Sequence, residues 1–279
     1  MQRVVLACAA GLMALLAACS SGPVAPDGAV RGSSWSHSNV SARAVVDQAW
    51  VAIPSRATGG AVYSGTLAGA KGRAVARVPV VVVMHGAAGI SPALKEWQLW
   101  LAETLGIASI AADSMQLQSR LTYTSPVDKD SYERIHELRR TEIVFALQAL
   151  TGADWADTSR LALAGIEEGA VAAARYDGPE FSARLLFGWS CENNFFVKEH
   201  GTRLPPGRPV LNVISARDPL FSSANSWVGL PDPVGHCGPL LRNNPRAEVL
   251  LLGNAPQRVL NMPAARSAAQ RFLVESLQP

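Results

Sequence analysis

From about residue 46 the chain alternates short apolar runs with longer runs of helical spacing. That pattern belongs to an α/β fold with a mostly parallel sheet. Residues 49–53 and 61–66 read as two short opening strands, paired antiparallel. Val78–Met84 is apolar throughout, as a strand buried on both faces requires. Residues 92–105 carry Leu94, Trp97, Leu101 and Leu105 on one side of a helix, and residues 107–111 form another buried strand. Residues 113–130 are polar and read as a loop. Residues 132–150 form a long amphipathic helix with Ile135, Leu138, Ile143, Phe145 and Leu150 as its apolar points. Strands follow at 160–164, 184–188, 209–214 and Ala247–Leu252, with a small helix at 168–176. Pro263–Leu277 closes the chain as a helix, with proline where helix entry tolerates it.

The first forty-five residues break the pattern. Arg3 precedes the apolar stretch 4–16, which is too short for a comfortable membrane span. The stretch ends in Leu16-Ala17-Ala18-Cys19, which looks like a bacterial lipobox. Residues 1–18 are then a lipoprotein signal peptide and Cys19 is the lipidated first residue of the mature chain. In a Gram-negative cell that resemblance implies a membrane partner, the outer membrane, with the protein facing the periplasm. Residues 19–45 hold the lipidated cysteine and a Ser-, Gly-, Ala- and Pro-rich stretch read as a flexible tether, and residues 46–279 are the folded domain. Trp35 and His37 lie in that tether or at its edge and are expected to be bland.

Composition narrows the functional classes. The 279 residues are 48% hydrophobic and 17% charged, enough for one sizeable α/β core and incompatible with a mainly disordered chain. A formal net charge of +3 is too weak to argue for nucleic acid. Of the cysteines, Cys8 leaves with the signal and Cys19 carries lipid. Cys191 and Cys237 remain in an oxidising compartment, where they are expected to form a disulfide. No His or Cys spacing supports a known zinc pattern, so no metal or other cofactor is expected.

Two glycine-rich turns follow expected strands. His85-Gly86-Ala87-Ala88-Gly89 comes directly after Val78–Met84, where glycine lets backbone N–H groups approach a developing oxyanion. Gly165-Ile166-Glu167-Glu168-Gly169 stands between a strand and a helix, the setting of a nucleophile elbow. With these motifs the chain resembles the α/β-hydrolase superfamily, and within it dienelactone hydrolase-like esterases. The likeness rests on residues 80–89, 162–169, 210–218 and 250–261.

The resemblance implies an α/β-hydrolase fold, an oxyanion loop of His85, Gly86 and Ala87 completed by Glu168, and a catalytic triad. The triad carries over incompletely. Glu167 stands at the nucleophile position, where the family has Ser or Cys. Asp218 fits the acid position. Gln257 stands where the family has His, and no His follows His236. Gln cannot shuttle a proton, and a carboxylate nucleophile still needs a base for its second step. Ordinary triad hydrolysis is therefore expected to be lost or very weak.

Glu167 could plug the old site, support a retained ligand site, or take part in altered chemistry. Hydrogen bonds from an oxyanion hole would favour its charged form, and repulsion from Asp218 would oppose it. Three functions stay open. One is a non-hydrolytic relative that binds a small carboxylate or ester-like ligand, or a partner. Another is an active ester or lactone hydrolase with a non-standard base, for which His236 is the least poor candidate. The third is a structural envelope lipoprotein with a closed pocket. Ser190, Cys191 as a nucleophile, and His136 on the outside of its helix are weaker candidates for chemistry.

Overall fold

The computed structural model describes residues 26–277, except 73, 226, 228, 230, 231, 254 and 256. The expected signal peptide and Cys19 lie outside the described residues. In chain order the elements are β1 (Ala29–Arg31), α1 (Asn39–Asp47), β2 (Trp50–Ile53), α2 (Ser55–Thr58), β3 (Tyr63–Thr66), β4 (Val78–Met84), α3 (Pro92–Trp100) and β5 (Ala108–Ala111). They continue with β6 (Thr122–Thr124), α4 (Lys129–Thr151), β7 (Ala156–Ile166), α5 (Glu168–Arg175), β8 (Ala183–Phe187), β9 (Val210–Ser215), α6 (Gly238–Leu241), β10 (Ala247–Leu252) and α7 (Pro263–Leu277). No helix among the described residues is long and apolar enough to cross a membrane.

Eight strands form one sheet in the order β10-β9-β8-β7-β4-β5-β2-β3. The strands from β10 to β5 run parallel, and only β2 and β3 are antiparallel to their neighbours. The α/β class and the antiparallel opening pair therefore stand as the sequence pattern predicts. β4 shows why its run is apolar without alternation. Val80, Val82 and Met84 join the core on one side of the sheet, while Val81 and Val83 join the core on the other. Each such side chain contributes about 1.5–3 kcal/mol on full burial. Helices α4 and α5 cover the first side, and α3 and α7 the second.

Three expectations are corrected. The flexible tether does not extend to residue 45. β1 pairs antiparallel with β6, and α1 begins with a capping box between Ser38 and Ser41 and buries Val45. The apolar face of α1 is too short to show a period in sequence. Trp35 sits under the Arg134 guanidinium at 4.7 Å, and the His37 side chain is buried, with its Nε2 3.1 Å from Glu142 Oε1. The stretch 113–130, expected as loop, contains β6 and a helical turn at Ser114–Gln116. His136, expected on the surface, faces inward, its ring stacked on Tyr132 and its Nε2 2.9 Å from the Phe196 carbonyl oxygen.

Cys191 and Cys237 are bonded, as expected. Asn212 on β9 braces both cysteine loops. Its amide donates to the Leu186 and Trp189 carbonyls, and its side-chain oxygen accepts from the Cys237 N–H at 3.0 Å. Closing a span of 46 residues is worth about 4 kcal/mol on a chain-entropy account.

Candidate active-site pocket

The parallel register brings the relevant turns to one edge of the sheet. Met84 lies opposite Gly165, Ile166 opposite Phe187, and Phe187 opposite Val213. The chain thus leaves β4, β7, β8 and β9 at their carboxyl ends, where open α/β sheets bind ligands.

Glu167 sits in the sharp turn between β7 and α5, with φ 51° and ψ −111°. A non-glycine residue holds such a backbone only when its surroundings enforce it. Here the Glu167 N–H donates to the Phe187 carbonyl at 2.8 Å, and the Glu167 carbonyl accepts from the Ala170 N–H at 2.9 Å. The flanking glycines make the turn sterically feasible. A Cβ at Gly165 would lie 2.2 Å from the Gly169 carbonyl oxygen, and one at Gly169 would lie 2.1 Å from the Met84 carbonyl oxygen. This is the geometry of a nucleophile elbow, with a carboxylate at its apex.

The Glu167 side chain runs between the two neighbouring glycine turns. Its Oε2 lies 2.8 Å from where a Gly86 Cβ would stand, and its Cγ lies 3.4 Å from that of Gly188. No described residue donates a hydrogen bond to its carboxylate. The N–H groups of Ala87 and Glu168, the expected oxyanion donors, likewise have no partner among the described residues. Burial pushes the Glu167 carboxyl above its ordinary range, and the negative charge of Asp218 pushes the same way, with Arg258 opposing. Burial and repulsion therefore outweigh the hydrogen bonding that would have favoured the anion.

Asp218 is fully buried after β9. Its Oδ1 accepts from the N–H groups of Leu220 at 2.8 Å and Phe221 at 3.0 Å. Its Oδ2 has no partner among the described residues. Burial raises its carboxyl too, and those two backbone donors oppose the shift. Gln257 lines the pocket together with Arg258. Their loop is held where Ser215 Oγ donates to the Ala255 carbonyl and the Asn261 amide donates to the Ala93 carbonyl, both at 2.8 Å.

The pocket holds about 100 Å³ of water-accessible space. Its polar edge is Glu167, Gln257, Arg258 and Ser91, and its apolar walls include Leu94, Phe187 and Val259. Glu167 forms part of the wall and leaves the pocket open. Trp189 is buried and does not line it, and neither do Ala87, Asp218 or His236. His236 Nδ1 instead accepts from the Gly238 N–H at 3.0 Å. His236 is thus not brought to the elbow as a base. Ser190 is buried, with no partner for its hydroxyl among the described residues, and Cys191 is committed to the disulfide.

Beneath the elbow lies a cluster that sequence reasoning did not assemble. Arg120 Nη2 donates to Glu168 Oε1 at 2.5 Å, and its Nε donates to Ser114 Oγ at 2.7 Å. Arg139 pairs with Glu142 and places its Nε 3.5 Å from Glu168 Oε1. Its Nη2 donates to the His85 carbonyl at 2.9 Å. Ser114 Oγ donates to Glu142 Oε1 at 2.6 Å. The Ser114 N–H donates to His85 Nε2 at 3.1 Å, so Nδ1 carries the proton and donates to the Gly86 carbonyl at 2.7 Å. Burial and then Arg139 hold His85 well below its ordinary value, so its ring is neutral. His85 accordingly shapes the glycine loop and has no free nitrogen for proton transfer. The partners lie far apart along the chain, and only the Arg139–Glu142 spacing of three left a local signal.

No protein-family model matches the sequence, and no curated protein matches it either. Solved structures do. A dienelactone hydrolase-like promiscuous phosphotriesterase from metagenomic libraries is 23% identical, over 72% of this chain and 88% of its own, with a TM-score of 0.51. A putative dienelactone hydrolase from Klebsiella pneumoniae is 15% identical, over 82% of this chain and 98% of its own, with a TM-score of 0.50. At these identities the likeness establishes the fold.

Proposed function

We propose that this chain, which shares its α/β-hydrolase fold with dienelactone hydrolase-like structures, is an envelope lipoprotein, anchored through Cys19 at the outer membrane facing the periplasm, that binds a small ligand and does not hydrolyse esters by a triad. The observation that carries this reading is the state of the triad positions. Glu167 occupies the elbow, Gln257 lines the pocket near it, and Asp218 Oδ2 has no partner among the described residues. In a working triad that oxygen would hold the imidazole. None of the described residues lining the pocket is a histidine. Loss of a triad member commonly costs about 10³-fold or more in rate. The open pocket favours a ligand-binding role over a purely structural one.

The test is hydrolysis of short p-nitrophenyl esters by the full chain in detergent, beside the double variant Glu167→Ser with Gln257→His. The native chain is expected to be silent and the double variant to turn over. Native hydrolysis that survives Glu167→Ala would overturn the proposal, because the nucleophile would then lie elsewhere.

A further inference from the structure

The chemistry of the pocket selects among ligands. Its wall carries a carboxylate with no hydrogen-bond donor among the described residues, half-buried between Gly86 and Gly188. Close enough to raise it electrostatically lies a second carboxyl, Asp218, fully buried and with one oxygen unpartnered. Arg258, exposed at the rim, is the one cation among the described residues lining the pocket, and it makes no ion pair with Glu167 within 4.0 Å. The cluster below supplies no excess of either sign, because Arg120 and Arg139 balance Glu142 and Glu168. Two carboxyls against one guanidinium leave the site with an excess of negative charge, and no described residue donates to Glu167. Gln257 and Ser91 complete the polar edge, and Leu94, Phe187 and Val259 stand among the apolar walls.

We infer that the pocket takes a small ligand bearing a primary ammonium group, bound by Glu167, with a short apolar body against Leu94, Phe187 and Val259. The inference rests on the reading of the chain as a non-hydrolytic ligand-binding protein. An ammonium supplies three donors and one positive charge to a carboxylate that no described residue pairs. A carboxylate, one of the ligands that the sequence left open, would meet Glu167 with like charge. A neutral alcohol could donate one hydrogen bond but leave the charge unanswered. The space of about 100 Å³ suits a chain of a few carbon atoms.

The experiment is saturation-transfer NMR on the full chain in detergent near neutral pH, with n-butylammonium, butyrate and n-butanol as probes. Butylammonium is expected to bind and the other two to bind at least about tenfold more weakly, as one charged hydrogen bond would give. Glu167→Gln should weaken butylammonium by at least about tenfold. Arg258→Ala should strengthen it, and Glu103→Gln, a change at an exposed residue outside the pocket, should leave it unchanged. Thermal unfolding of each variant checks that it is folded. Butyrate or butanol binding as tightly as butylammonium overturns the inference, and so does butylammonium binding that Glu167→Gln leaves intact. The ester assay separates the two levels. A native chain silent toward esters that prefers butyrate loses this inference and keeps the proposed function.

Discussion

Two groups of buried charge meet back to back at the elbow, and consecutive residues belong to different groups. Glu168 points down, where Arg120 and Arg139 answer its charge. Glu167 points up, where no described side chain pairs with it and Asp218 adds a second negative charge. One peptide unit thus separates a structural carboxylate from a frustrated one. A buried charge that is paired is held because removing its partner is costly. A carboxylate left without donors is tolerated only where something else compensates, and functional sites are where such arrangements concentrate. The lower cluster reads as scaffold, and of the upper pair Glu167 is the carboxylate that lines the pocket.

The largest expected effect attacks the scaffold. Arg139→Met leaves Glu142 and Glu168 without that partner and should cost about 3–5 kcal/mol in urea unfolding. A loss below about 1 kcal/mol would break the comparison, since the lower charges would then be no better compensated than the upper ones. A smaller effect comes from the N-terminal segment. His37→Ala removes the imidazole that reaches Glu142 from outside the sheet, and should cost about 1–3 kcal/mol. Thermal melts of this variant beside one changed at exposed Val40 would separate the contact from general loosening of α1.

The smallest effect has the opposite sign. The Glu167 carboxyl titrates above its ordinary range in the folded chain. Below the ordinary carboxylate range both folded and unfolded states are protonated, and the site carries no penalty. As pH rises through the folded value, the folded chain must take on a disfavoured charge and loses stability. Glu167→Gln should therefore stabilise the chain at neutral pH, with the gain shrinking to nothing as pH falls below that range. Melting curves across pH 3–8 check it. A variant destabilised at neutral pH would mean that the anion is held by donors after all.

Legibility followed the range of the interactions. The apolar run Val78–Met84 and the elbow glycines were readable because their reasons are local: burial on both faces, and a turn with no room for a Cβ. Glu167, Asp218 and Gln257 were singled out because their motifs follow strands, and the structure places Glu167 and Gln257 on the pocket wall and Asp218 buried after β9. The segment 29–47 was misread as a tether because its order comes from partners far along the chain, β6 and Glu142. His136 was misplaced for a related reason. A long helix flanked by α5 and the loop around Phe196 buries more of its girth than an isolated amphipathic helix would.

By itself, then, the sequence determined the α/β class, the strand order along the chain, and the turn that carries Glu167. Those depend on residue type and neighbours within a few positions. Only the tertiary structure decided that the pocket stays open, that Asp218 keeps an unpartnered oxygen, and that Glu168 is neutralised while Glu167 is not. Those are questions of which charges end up within a few ångströms in a medium of low dielectric, and contacts between residues such as 120 and 168 arise only when the sheet and its helices close around them.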